Sequence, residues 1–248
     1  AKFVFLTGHH LLYMATVLAV VIGSAGIKGA NLIILGAILQ GTIATVMPAL
    51  LDPFTKKLTN DAGFALGHYN SLGYLVSALI GGLVGKGSRS TEDIKVPENL
   101  SFLKEPLVIT SVVMIIIYVF LALMAGPAVL EEFAEGGNYI MYAIMQGLTF
   151  GAAIGIIIYG VRMILAELVP AFQGIAQSLI PNAVPALDCP TVFPYAPNAV
   201  VIGFIFSVIG GIVGMFLVGP LGLALIIPGM IPHFFDGGTA GVYGNSTG

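Results

Sequence analysis

The chain has 248 residues, 57% hydrophobic and 8% charged, with nine Lys or Arg against twelve Asp or Glu. A soluble domain carries roughly 25% charged residues, so an ordinary water-soluble globule is excluded. A net charge of −3 without any basic run excludes a phosphate-backbone binder, and a single cysteine, Cys189, excludes a disulfide framework or a multi-cysteine metal site. Thirty-three Gly and fourteen Pro in so apolar a chain point to membrane segments that are interrupted by design.

The chain opens at Ala1 on apolar sequence, without a basic n-region or a cleavage site, and reads as a piece of a longer protein. Residues 3–27 and 29–51 carry no Asp, Glu, Lys or Arg, and each is long enough to cross a hydrocarbon core of roughly 30 Å. A polar patch from Asp52 to Asp61 follows, holding Lys56 and Lys57. Residues 62–85 are again uncharged, but the centre of GFALGHYNSLGY is too polar for a plain span. The stretch 86–106 has four Lys or Arg and is an aqueous loop, cytoplasmic by the positive-inside rule. Spans 107–128 and 139–161 come next, joined by an outside loop bearing Glu131, Glu132 and Glu135, and Arg162 returns inside. With 86–106 inside, residues 62–85 fit the charge rule better as a re-entrant hairpin than as a crossing. A hairpin tip at His68 would then lie where irregular backbone lines a cavity.

From Val161 to Leu179, apolar residues recur at spacings of three and four, with Arg162, Gln173 and Gln177 opposite. This predicts an amphipathic helix at the interface. Residues 181–200 contain five prolines and the tetrapeptide PNAV twice, which no regular helix passes through. The expectation is a second hairpin over 182–198, a span over 199–219, an apolar piece at 221–231, and no clean span in the glycine-rich end. Each half thus orders a span, a connection and a hairpin with an ionisable tip. That duplication predicts an all-α polytopic membrane protein whose two re-entrant hairpins are related as inverted repeats. The whole of 1–248 is expected to be part of one transmembrane domain.

Asp188 stands between Pro185 and Pro190, at a place where a carboxylate is expensive unless it meets a cavity, a partner or a ligand. The alternative is a helix cap at the aqueous interface. His68 can donate or accept at the first tip, or simply close the hairpin. His9 and His10 open the first span. Only one of two helical neighbours is expected to face a given cavity, and His9 shares its face with Tyr13, four residues on. No HExxH, no carboxylate at helical spacing and no cysteine cluster accompanies these histidines, so no metal and no cofactor is expected. Cys189 lacks a nearby cation to activate it and reads as a small apolar residue.

LTGH (Leu6 to His9), DAGFALGH (Asp61 to His68), the Gly160 to Val184 stretch, ALDC (Ala186 to Cys189), YAPNAVVIGF (Tyr195 to Phe204) and LIIPGMIPHFF (Leu225 to Phe235) follow one another along the chain. In this order and spacing the sequence resembles the IIC component of the ascorbate-type phosphoenolpyruvate-dependent sugar phosphotransferase system, roughly its central half. The resemblance implies a homodimeric permease of the bacterial inner membrane with an elevator-type core. Its substrate would be L-ascorbate or a related sugar acid or alditol, phosphorylated by a soluble IIB partner that IIA recharges. The chain itself would be a transport component, not an enzyme. Carried over, the substrate-binding positions are His9, His68 and Asp188, joined by Tyr13 and Tyr69, which stand where the ascorbate transporters carry Gln. The competing function is an ion-coupled secondary transporter of a small polar metabolite.

Overall fold

The computed structural model describes residues 2–94, 97–99, 102, 106–224 and 229–248, apart from the side chains of 106, 161, 164, 165, 168, 173 and 175–179. Four of its helices are long and apolar enough to cross a membrane: Gly29–Thr59, Leu107–Ala125, Tyr139–Gly160 and Pro197–Val218. The chain divides into one unit of Ala1–Glu92 with Met163–Gly248 and a second of Asp93–Arg162.

The first unit begins with strand β1 (Lys2–Phe5), helix α1 (Gly8–Ser24), helix α2 (Gly29–Thr59), strand β2 (Ala65–Leu66) and helix α3 (Ser71–Val84). Its later part holds strand β3 (Ala183–Leu187) and a 3-10 helix (Cys189–Tyr195). A three-stranded sheet in the order β1-β3-β2 corrects the all-α expectation. Both pairings are parallel, with Phe5 opposite Ala186 and Leu66 opposite Leu187. The prolines keep a continuous α-helix from running through 181–200, and the backbone groups of 183–187 find partners on other strands instead. Leu6 N donates to the Ala186 carbonyl at 2.9 Å and Gly67 N to that of Leu187 at 2.6 Å, so the bonds of β3 alternate between its neighbours. By that alternation Pro185 turns its nitrogen toward β2, at a level one step before β2 begins pairing at Ala186. A missing N–H is harmless there. The inverted relation expected of the two hairpins is not found at their strands. Because β2 and β3 are parallel, the chain enters both tips in the same direction.

Helix α2 runs through the polar patch expected as a loop and ends at Asn60, a left-handed cap with φ 53°. Its 31 residues extend about 46 Å, longer than the bilayer core. Several polar groups of this end find partners, although Asp52 Oδ1 is buried without a hydrogen bond. Asp52 pairs with Lys56 one turn on at 2.9 Å. Thr55 donates to the Leu51 carbonyl and shares a 2.7 Å hydrogen bond with the Tyr243 hydroxyl.

The glycine-rich end, where no span was expected, is part of the core of this unit. Helix α7 (Pro197–Val218) is followed by a short turn α8 (Met230–Pro232), a π-helical turn (His233–Gly237) and α9 (Gly238–Asn245). Phe234, Thr239, Val242 and Tyr243 are buried. A Cβ on Gly203 of α7 would collide with the backbone of Gly237 and Gly241, so glycine lets these elements touch backbone to backbone. Ser77 of α3 donates to the Ala240 carbonyl at 2.6 Å, and Tyr74 stacks on Tyr243. Glu92, expected in a solvated loop, caps α7 by accepting from the backbone amides of Asn198 and Ala199. A carboxylate there also meets the positive end of the helix dipole. The apolar piece 221–231 lies partly outside the described residues.

The second unit contains α4 (Pro106–Ala125), a turn of helix α5 (Pro127–Leu130) and the first part of α6 (Tyr139–Leu179). Gly147 and Gly151, one turn apart, face the backbone of Ile115 and Ser111 of α4 too closely for a Cβ, and Gly155, a further turn on, faces the side chain of Leu107. This is small-residue packing of membrane helices. The stripe at 161–179 does not start a separate helix, because α6 continues to Leu179 with Pro170 inside it. Most side chains of that stripe lie outside the described residues.

Candidate functional site

The sheet explains why residues far apart in sequence meet. Each strand delivers, at its carboxyl end, one of the motifs singled out by sequence: β1 leads into Gly8 and His9, β2 into Gly67 and His68, and β3 directly into Asp188. Because all three strands are parallel, these ends lie along one edge. Ligands of parallel sheets bind outside that edge. Helices α1 and α3 start there as well and turn free amide groups and the positive ends of their dipoles toward it.

Asp188 is the centre of the cluster. It caps the 3-10 helix, its Oδ1 accepting from Cys189 N at 2.8 Å, while its carbonyl accepts from the Thr191 hydroxyl at 2.6 Å. The carboxylate thus caps a helix, one of the two sequence alternatives, and at the same time meets the histidines. His9 Nε2 lies 3.2 Å from Oδ2, His10 Nε2 3.4 Å from Oδ1, and His68 Nε2 3.9 Å from Oδ1. The expectation that only one of the adjacent pair faces the cavity is corrected, because each takes a different oxygen of the same carboxylate. The rings of His10 and His68 meet edge to face, 4.1 Å between centroids. Three of the chain's four histidines thus converge on one carboxylate.

His68 is buried, and its environment fixes its tautomer. Asn70 N donates to Nδ1 at 3.1 Å, so a neutral ring carries its proton on Nε2, the nitrogen facing Asp188. Behind it lies a group the sequence reading missed. Asp236 Oδ1 accepts from the Tyr74 hydroxyl at 2.6 Å and from Asn70 Nδ2 at 3.0 Å, and lies 3.9 Å from His68 Nδ1. The Tyr74 hydroxyl is also 3.1 Å from that nitrogen. The signal available for Asp236 was the one that marked Asp188, since it ends the charge-free stretch 189–235. Its glycine-rich neighbourhood hid it.

The two tyrosines part company. Tyr69 packs on Phe5 and, at 5.7 Å between centroids, on His10. Its hydroxyl is buried beside the Gln40 amide but makes no hydrogen bond of ordinary geometry, while Gln40 Nε2 donates to the Leu11 carbonyl. Tyr13 is 67% exposed and is not drawn into the cluster. Cys189 is buried, and its backbone amide rather than its thiol serves the site.

Chemically the site offers a fixed acceptor, Asp188, ringed by imidazole donors and helix amino termini. Such a set suits a ligand with several hydroxyls and an anionic oxygen. Asn70 and Asp236 also line a separate cavity of about 920 Å³, walled largely by α3, α7 and α9. That cavity contains none of His9, His10 or Asp188, and the convergent polar groups lie in the cluster.

Residues 1–248 match the family described as PTS system sugar-specific permease component, EIIC-GAT. The chain is also similar to a protein of Mycoplasma pneumoniae named ascorbate-specific PTS system EIIC component, at 30% identity over 247 residues. The match covers 88% of this chain and 37% of that relative, so the chain spans well under half of its length. With a family match along its whole length and four apolar helices able to cross a membrane, the chain belongs to the sugar-specific permease (EIIC) family of the phosphotransferase system and is a multi-pass membrane protein.

Proposed function

We propose that the protein translocates L-ascorbate or a related sugar acid or alditol across a bacterial inner membrane, coupled to phosphorylation of the sugar by a soluble IIB partner that IIA recharges. The observation that carries this reading is the convergence of His9, His10 and His68 on Asp188 at the carboxyl edge of the sheet. Asp188 accepts from the sugar hydroxyls, His68 Nε2–H and the imidazoles of His9 and His10 donate to its oxygens, and the amino termini of α1 and α3 stabilise an anionic oxygen. Tyr69 sets the pocket's size beside His10, and Tyr13 reaches the ligand only by moving from its exposed position. The tips at His68 and Asp188 are re-entrant. Helix α3, at 14 residues, is about 21 Å long and shorter than the bilayer core. The core carries the bound sugar in an elevator motion within a homodimer, and the 86–106 loop is cytoplasmic, where IIB acts. The named substrate of the Mycoplasma pneumoniae relative supports the ascorbate assignment.

A second reading has its own support. Asp236, Tyr74, His68 and Asp188 form a row of titratable groups between two carboxylates, broken by the 3.9 Å gap from His68 to Asp188 that a small shift of His68 would close, as an ion-coupled carrier would need. Uptake of labelled sugar into vesicles separates the two. Phosphorylated sugar should accumulate only when IIB is supplied, and a protonophore should leave the rate unchanged. Free sugar accumulating without IIB, and collapsing with the proton gradient, would contradict the phosphotransferase reading.

A further inference from the structure

Spacing along the sequence held no metal motif, because the carboxylate that completes one arrives from the other end of the unit. The ligating atoms of His9, His10 and Asp188 all lie within 4.8 Å of one another. The two imidazole nitrogens stand 3.2 and 3.4 Å from the two carboxylate oxygens. Ligands held at about 2.0–2.1 Å around a tetrahedral cation are ~3.3–3.4 Å apart. Each imidazole nitrogen therefore already stands at about the ligand–ligand distance of a coordination shell from one carboxylate oxygen, with all three ligand atoms within 4.8 Å of one another.

We propose that His9, His10 and Asp188 bind a divalent transition-metal cation of the Zn²⁺ class, and that the loaded site excludes the sugar. Two imidazoles with a carboxylate select Zn²⁺, Ni²⁺ or Cu²⁺ over Mg²⁺ or Ca²⁺. Three protein ligands leave the fourth position open to water. The carboxylate is held in place from behind by the Cys189 amide at 2.8 Å, the kind of outer support that ligating carboxylates require. Entry is open, since the His9 side chain is 69% exposed. His68 is not a ligand. Its Nδ1 accepts from Asn70 N, which leaves the proton on Nε2 and no lone pair facing the cation. For the same reason the neighbouring trio of His68, Asp188 and Cys189 is not a metal site, although its atoms are equally close. On binding, His9 and His10 coordinate as neutral rings, each keeping its proton on Nδ1. The carboxylate exchanges its imidazole contacts for the cation.

The cation site stands on the geometry alone, whereas exclusion of the sugar rests on the substrate site proposed above. Titration calorimetry on the tag-free, chelator-treated protein in detergent, with ZnCl₂, with MgCl₂, and with L-ascorbate before and after zinc loading, tests both. The expected result is one Zn²⁺ per chain and no binding of Mg²⁺. Affinity should fall at least ~100-fold in His10→Gln and in Asp188→Asn, the upper end of what loss of a supporting partner alone costs. The distant His233→Gln should bind as the wild type does. X-ray absorption at the zinc edge of the wild-type protein should count two imidazoles, a readout that needs no variant to fold. Absence of saturable Zn²⁺ binding, or binding that both substitutions leave unchanged, would overturn the site. Zinc bound as described but without effect on sugar affinity would overturn the exclusion and move the sugar elsewhere, with the cation site intact.

Discussion

Asp188→Asn is expected to weaken sugar binding by about 10- to 150-fold, the equivalent of losing one hydrogen bond to a charged group. The substitution keeps the volume and removes the charge on which His9, His10 and His68 converge. It should not unfold the protein. Asn caps a helix about as well as Asp, so the amide of Cys189 keeps its acceptor. Asp188→Ala removes the cap as well and should cost a further ~1 kcal/mol of stability. Equilibrium binding of labelled sugar, set beside thermal unfolding, separates the two losses. Wild-type affinity in the Asn variant would remove Asp188 from the site.

Gly67→Val is expected to lower the thermal midpoint sharply and abolish sugar binding together. A Cβ at this position would lie 2.7 Å from the Ala186 carbonyl oxygen and 2.9 Å from its carbon, both backbone of the central strand. Neither can swing aside. The Gly67 carbonyl also accepts from the Thr7 hydroxyl at 2.8 Å, which ties the end of β1 to the end of β2. Forcing β2 away from β3 therefore disturbs all three strand ends that carry the site. Overpacking typically costs about 1–3 kcal/mol, and a clash with backbone belongs at the upper end. Gly210→Ala is the control, since a Cβ there meets nothing and the helix α7 tolerates it. Thermal unfolding of both variants checks the contrast. A stable, sugar-binding Gly67→Val protein would contradict the parallel pairing of β2 with β3.

Hydropathy was enough to place α4, the start of α6 and α7 within a few residues, because length and apolar content alone define a span. It failed where polar groups are matched internally. Asp52 and Lys56 read as a loop because an i,i+4 pair and threonines bonded to their own helix cancel polarity that a charge count still registers. The end of the chain failed for the opposite reason. Helix α9 packs through glycines, which carry no periodic apolar signal. The sheet was unreadable because its strands are two to five residues long and owe their pairing to partners remote in sequence.

The candidate site was legible in part. His68 and Asp188 were marked by the expense of an ionisable residue amid apolar sequence, and they lie 3.9 Å apart. Two of its members were hidden. His10 was set aside on a helical-face argument that holds along a helix but not at its first turn, where both neighbours reach one carboxylate. Asp236 comes within reach only because α9 and the π-helical turn before it fold back against α3 and α7.

The most direct test of the account is a structure of the protein with its sugar bound, determined by electron cryo-microscopy in a lipid nanodisc. Density for the sugar is expected at the carboxyl edge of the sheet, within hydrogen-bond distance of Asp188 and of His68 Nε2. Density in the cavity lined by Ser77, Gly81, Gly203 and Gly241 instead, with the histidine cluster unchanged, would contradict it.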